Sequence, residues 1–158
     1  MTTREIWHEI LVNAPPPTLY TALTDVNRLR HWWTTDTRGS AKRGENLEFW
    51  FGNSCQEMSV VELEQDRLVR WHATQRGLTD WANTDIEFNI FQESGNTLLH
   101  FRHSNWNMDA KMFPECSLRW AAYLMSFKEF VETGKGRPYP YDMPINQHME
   151  TSARRQYT

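Results

Sequence analysis

The stretch 108-MDAKMFPECSLRWAAYLMSFKEFVETGKG-136 decides the fold. Within it Phe113, Cys116, Trp120, Leu124, Phe127 and Val131 recur at gaps of three, four, four, three and four residues, the recurrence of one helical face. The spacing predicts an α-helix over 109–133, with Asp109 as its N-cap, Pro114 in its first turn, Lys128 in its last turns and Gly134 as its stop. Lys111, Glu115, Arg119, Lys128, Glu129 and Glu132 are assigned to the opposite side, so this is a surface helix with one buried stripe. That stripe must lie on an apolar surface, and the residues before it supply one.

Over residues 5–13, Ile6, His8, Ile10 and Val12 alternate with Trp7, Glu9 and Leu11, the period of a strand. Ala14-Pro15-Pro16-Pro17 breaks it, and Pro16 or Pro17 starts a short helix that carries Leu19, Tyr20 and Leu23 inward and ends at Thr24-Asp25. A second short helix is predicted over 27–33 with Leu29, Trp32 and Trp33 as its apolar residues. Residues 34–44 are polar, contain Gly39 and Gly44, and read as a loop. Five further strands follow at 46–51, 56–64, 67–74, 84–92 and 97–104, separated by turn chemistry such as Gly52-Asn53-Ser54 and Ser94-Gly95-Asn96.

This order predicts an α+β fold in which a curved antiparallel sheet of six strands wraps one terminal helix. Strand parity points Ile86, Phe88 and Ile90, Leu99, Phe101 and His103, and Val69, Trp71 and Ala73 at that helix. Trp7 and Trp50 fall on the outer sheet face and mark it, with the edge strand, as a candidate homodimer surface.

At 158 residues the chain is expected to be one domain over 1–145, followed by a polar tail over 146–158. Its net charge of -3, with basic residues scattered or paired, argues against nucleic acid and against an anionic membrane surface. No run reaches membrane-spanning length and the N-terminus lacks the apolar core of a signal peptide, so the expected location is cytoplasmic. There Cys55 and Cys116 are expected as reduced thiols. Eight Trp, eight Phe and five Tyr are too many rings for an ordinary core to go unremarked: they fill a thick interior or line a cavity.

Several blocks, in order, carry a resemblance. They are Ala14-Pro15-Pro16, Tyr20-x-Ala22-Leu23-Thr24-Asp25, Trp32-Trp33, Val69-x-Trp71, Trp81-x-x-Thr84-x-Ile86-x-Phe88, Phe101-x-His103-x-x-Trp106, Trp120-x-x-Tyr123-Leu124 and Gly134-x-Gly136-x-Pro138-Tyr139-Pro140. Together they resemble the START-like SRPBCC superfamily, and within it the branch named for the activator of heat-shock-protein-90 ATPase homologue. The resemblance spans about residues 6–145 and implies a helix-grip fold with seven strands. The missing strand is expected either in 75–83 or from a split of 56–64. It also implies apolar small molecules bound between sheet and long helix, in members that include cyclases, ligand receptors and chaperone-associated modules.

Trp33, Phe49, Phe51, Trp71, Phe88, Phe101, Trp106 and Trp120, with Cys116 and Leu124 on the helix, are therefore the expected ligand-lining set, against the alternative that they are packed core. His103 is the one basic side chain among them: a general acid or base, a polar anchor for a ligand, or, as the favoured alternative, a neutral histidine bonded to a carbonyl or an indole. Cys116 near a helix start could be a lowered-pKa thiol, but a small buried filler is the simpler expectation. His100 and His103 point to opposite faces, no third ligand joins His72 and His100, and Gly134 and Gly136 make no phosphate loop, so neither metal nor cofactor is expected. The function expected first is a binding module for a small apolar or aromatic ligand. A cyclase- or hydrolase-like enzyme using His103 and a chaperone ATPase-activator co-factor are the alternatives.

Overall fold

Alternating strands bury one face only when neighbours hold them in register, and this chain does so by folding back on itself repeatedly. In the computed structural model, which describes residues 3–145, the order is β1 (Thr3–Val12), α1 (Pro16–Thr24), α2 (Val26–Leu29), β2 (Asp36–Gly39), β3 (Asn46–Phe51), β4 (Ser54–Glu64), β5 (Leu68–Ala73), a 3-10 turn (Thr79–Trp81), β6 (Asp85–Glu93), β7 (Asn96–Asn107) and α3 (Phe113–Thr133). The seven strands make one antiparallel sheet in the order β1-β7-β6-β5-β4-β3-β2, so the first strand closes beside the last. Bulges between Arg4 and Ile6 and between Val60 and Glu62 add local twist, and the sheet curves around α3 in a helix-grip. The polar tail expected over 146–158 lies outside the described residues.

The predicted inner residues point inward. Ile86, Phe88, Leu99, Phe101, Val69, Trp71 and Ala73 are fully buried, and the register sets Phe88 between Val69 and Phe101. On α3 the buried stripe is wider than the sequence predicts, because Arg119, Tyr123, Ser126 and Phe130 are buried along with Cys116, Trp120, Leu124 and Phe127.

Three assignments are corrected by the structure, each for a local reason. The seventh strand comes from neither expected source: it is β2, inside the stretch read as a loop, paired to β3 from Asp36↔Trp50 to Gly39↔Leu47. Only Thr37 of its four residues is buried, so no apolar alternation announces it, and its outward Asp36 and Arg38 pair with each other. Residues 75–83 hold the 3-10 turn, and β4 runs unbroken apart from its bulge.

The second correction concerns α2, which stops at Leu29 instead of continuing to Trp33. Asp25 caps it by accepting the Asn27 amide at 2.8 Å, and Trp32 and Trp33 follow in turns yet are fully buried. Third, α3 begins at Phe113, so Asp109 is not its cap. Pro114 has no amide and its ring would strike the carbonyl four residues earlier, which forbids extending the helix upstream. The cap position is Met112, whose amide donates to Asp80 Oδ2 of the 3-10 turn at 3.1 Å. A side chain distant in sequence thus does what Asp109 was expected to do. Gly134 ends the helix as expected, at φ 86° with its amide on the Phe130 carbonyl.

After α3 the chain returns across the domain. The Arg137 amide donates to Ser126 Oγ (2.7 Å), which itself donates to the Trp32 carbonyl (2.7 Å), and the Tyr139 amide donates to the Trp33 carbonyl (2.8 Å). This strap passes so close that a Cβ on Gly136 would lie 2.6 Å from the His31 carbonyl oxygen.

Candidate functional site

Between sheet and α3 the expected lining residues pack on one another. Trp33 lies 4.1 Å from Phe49, 5.0 Å from Trp120 and 6.0 Å from Trp71 between ring centroids, its plane parallel to that of Trp71. Trp120 in turn meets Phe101 at 4.4 Å, and Phe88 meets Trp71 at 5.1 Å. These are the separations at which aromatic pairs attract. Trp33, Phe49, Trp71, Phe88, Phe101, Trp106 and Trp120 are all fully buried, and Leu124 nearly so. The rings that sequence reasoning assigns to a cavity wall fill the middle of the grip.

His103 sits at the far side of this cluster, fully buried. An indole can only donate, so the Trp120 N–H at 3.0 Å makes Nδ1 the acceptor and leaves the proton on Nε2. Nε2 then donates to the Thr84 hydroxyl at 2.8 Å, and that hydroxyl donates to the Trp81 carbonyl at 2.6 Å. Burial pushes the imidazole down to about 3, so it is neutral at physiological pH with both nitrogens committed. A base needs a free lone pair, and the one His103 has is occupied by Trp120.

At one end of the grip lies a cleft of about 40 Å³, between the β3–β4 hairpin, the 3-10 turn, α3 and the strap. Its apolar wall is Phe51, Leu78, Trp81, Cys116 and Tyr139, and its polar lining includes Ser54, Arg119, Tyr123 and Asp142. Of the eleven expected site residues, Phe51 and Cys116 reach it. On the scale where one water needs about 10–15 Å³, it holds roughly three. Arg119, expected on the solvent side of α3, is buried here and meets Glu115 at 3.2 Å. Burial raises the Tyr123 hydroxyl to about 12, with Arg119 opposing and Asp142 reinforcing the shift, so it stays a neutral donor. Burial likewise pushes the Cys116 thiol up to about 12, outweighing the Trp81 N–H that points at its sulfur from 3.4 Å and the nearby Arg119 charge. The cleft therefore offers shape and hydrogen-bonding groups, and burial keeps its Cys116 thiol protonated.

Sequence reasoning missed the rest of the lining, Ser54, Cys55, Gln56, Trp81 and Tyr139 as well as Leu78, Arg119, Tyr123 and Asp142. The available signal was weak: Arg119 and Tyr123 each lie three residues after a member of the buried stripe, at its margin, while Leu78 and Asp142 come from irregular segments.

Residues 13–132 match the model of the family described as Activator of Hsp90 ATPase homolog 1-like protein. The chain belongs to this family. No curated protein matches it significantly. Among solved structures, it is similar to the Aha1 dimer from Colwellia psychrerythraea, with 32% identity and a TM-score of 0.77 over 84% of this chain and 99% of that one. It is similar in fold to CalU16 from Micromonospora echinospora (22% identity, TM-score 0.70, covering 98% of this chain and 84% of that one). The fold is also that of DynU16, a putative protein in the dynemicin biosynthetic locus (19% identity, TM-score 0.69, 84% and 48% covered). The family match and these neighbours place the chain in the START-like SRPBCC superfamily, a fold that commonly binds hydrophobic ligands.

On the outer face of this family member, the two expected surface tryptophans are engaged within the chain. Trp50 donates to Glu48 (2.9 Å) and lies under the Arg38 guanidinium at 4.5 Å; Trp7 donates to Glu5 (2.7 Å) with Arg102 at 5.1 Å. The same face aligns Ser59, His72 and Asp85 on adjacent strands. His72 Nδ1 meets Asp85 at 2.8 Å, but the Ser59 hydroxyl donates to Asn46 at 2.9 Å, so no activated nucleophile is assembled. Among the described residues no helix is long and apolar enough to cross a membrane, and no group of three or more His, Cys, Asp or Glu side chains is arranged to hold a metal ion. Cys55 and Cys116 are free thiols.

Proposed function

We propose that the chain, folded as one domain over 1–145, is a cytoplasmic binding module for a small neutral aromatic molecule. The ligand inserts one ring into the cleft walled by Phe51, Leu78, Trp81, Cys116 and Tyr139. The observation that carries this is the cleft itself: apolar walls around a few convergent polar groups, the usual character of a small-molecule site. Its size sets the ligand. With the grip interior filled by rings, there is space for one ring, and the rest of the molecule stays at the mouth.

Charge sets the ligand's head. Arg119 and Asp142 bring one charge of each sign to the lining, so a carboxylate such as a fatty acid gains no net attraction there. The Tyr123 and Ser54 hydroxyls suit a neutral alcohol, phenol or carbonyl. An enzymatic role for His103 draws no support from an imidazole whose nitrogens are both bonded within the protein. The chaperone co-factor alternative rests on the family's name, and a pull-down with the chaperone at micromolar concentration tests it.

Thermal shift against matched pairs, such as benzyl alcohol and benzoate or a long-chain alcohol and laurate, tests the proposal. The neutral aromatic member raises the melting temperature, because a ligand that prefers the native state stabilises it by mass action. No shift with any neutral aromatic, or a larger one with laurate, refutes it. By analogy with the Colwellia protein described as a dimer, we also propose that two copies of this chain associate.

A further inference from the structure

At about 40 Å³ the cleft lies far below the ~300–1,000 Å³ of ordinary small-molecule sites, so most of a ligand whose ring enters it rests on the surface around its mouth. Two hollows adjoin that mouth. Across Leu78 lies one of about 250 Å³, whose lining includes Asp80, Asp109 and Lys111. Across Tyr123 and Asp142, which line both spaces, lies a groove of about 440 Å³ between α3 and the strap.

The two exits differ in chemistry. Next to the cleft the groove is floored by half-buried Ala122, by Met125, 57% exposed, and by Met143 of the strap, 62% exposed. Its far end is charged, with Glu129 held by Arg137 at 3.1 Å and Glu132 by Lys128 at 3.6 Å. An apolar chain that crosses Tyr123 gains contact with the methionines, whose unbranched, polarizable side chains adapt to varied shapes. The same chain crossing Leu78 strips water from Asp109 and Lys111. At about 1.5 Å of rise per residue, α3 offers about 10 Å from Ala122 to Glu129, the length of roughly eight chain carbons.

Resting on the reading of the cleft as a site for a neutral ring, we propose that its ligand is an amphipathic aromatic: a phenol-like ring in the cleft carrying an unbranched alkyl chain of up to about eight carbons. The chain leaves over Tyr123 and lies along α3 on Ala122, Met125 and Met143. The two ion pairs at the far end set its length, because a longer chain covers charges that water now solvates.

Isothermal titration calorimetry with phenol and with meta- and para-alkylphenols from methyl to decyl tests this. In one of the two series Kd falls about 2–4-fold per added carbon, the range between half and full burial of a methylene, and levels off near octyl. Read relative to each variant's own phenol Kd, that gain is lost in Met125→Glu and in Met143→Glu, whose altered side chains are exposed, and is kept in Asp109→Ala beyond Leu78. Melting curves verify the folds. Phenol that binds with no gain from the chain, or a gain that survives both glutamates, overturns the groove and leaves the cleft standing. If neither phenol nor any alkylphenol binds, the cleft fails as the site and the groove fails with it. Sedimentation velocity on the same proteins covers the rival occupant: self-association that Met125→Glu abolishes while the chain-length gain persists assigns the groove to a second copy and overturns the proposal.

Discussion

Replacing His103 by Gln separates a structural histidine from a functional one by a measurement of stability against pH. In the folded chain burial holds His103 at about 3, against an ordinary value of 6.5. Between those values the unfolded chain binds a proton that the folded chain refuses, so stability is fully present above about pH 6.5 and is lost progressively as pH falls toward 3. At pH 5.0 the deficit is 1.5 pH units, and at about 1.4 kcal/mol per unit this removes roughly 2 kcal/mol of folding free energy. Gln keeps a carbonyl to accept the Trp120 N–H and an amide to donate to Thr84, but it does not titrate. Urea unfolding followed by tryptophan fluorescence at pH 7.5 and pH 5.0 gives the two stabilities for each protein. The wild type loses about 2 kcal/mol more than His103→Gln over that interval. Acidic groups such as Glu5 and Glu48, held below the ordinary carboxylate range by hydrogen bonds, titrate alike in both proteins and cancel in the difference. Equal losses would falsify the assignment of a buried, neutral His103.

Four further outcomes are expected. Leu78→Trp fills the cleft from its rim and abolishes the thermal shift with neutral aromatics, while leaving the unliganded melting temperature within a few degrees. Trp71→Ala opens a void among fully buried rings and costs about 3–5 kcal/mol in urea unfolding. Gly136→Ala drives a methyl into the His31 and Ser126 carbonyls and costs about 1–3 kcal/mol, an overpacking penalty visible as a lowered melting temperature. Asp80→Ala removes the acceptor at the start of α3 and costs about 1 kcal/mol, whereas Asp109→Ala is silent.

How legible this molecule is in its sequence varies with how local the determining physics is. The α3 stripe, the inner parity of β5, β6 and β7, the Pro16 start of α1 and the Gly134 stop all follow from repeats and backbone restrictions within a few residues. β2 does not, because an edge strand of Asp-Thr-Arg-Gly acquires its identity from the neighbour it pairs with. The capping of α3 from Asp80 is invisible for the same reason: the partner lies 32 residues away.

The site divides along the same line. By itself, the sequence determined that a ring-rich interior lies between a curved sheet and a terminal helix, since periodicity counts rings on a face without regard to how they meet. Only the tertiary structure decided that those rings close on one another, that His103 gives its lone pair to Trp120, and that an apolar cleft opens beside Arg119 and Tyr123. Volume left over after packing is a property of all the side chains at once, so no pattern along the chain encodes it.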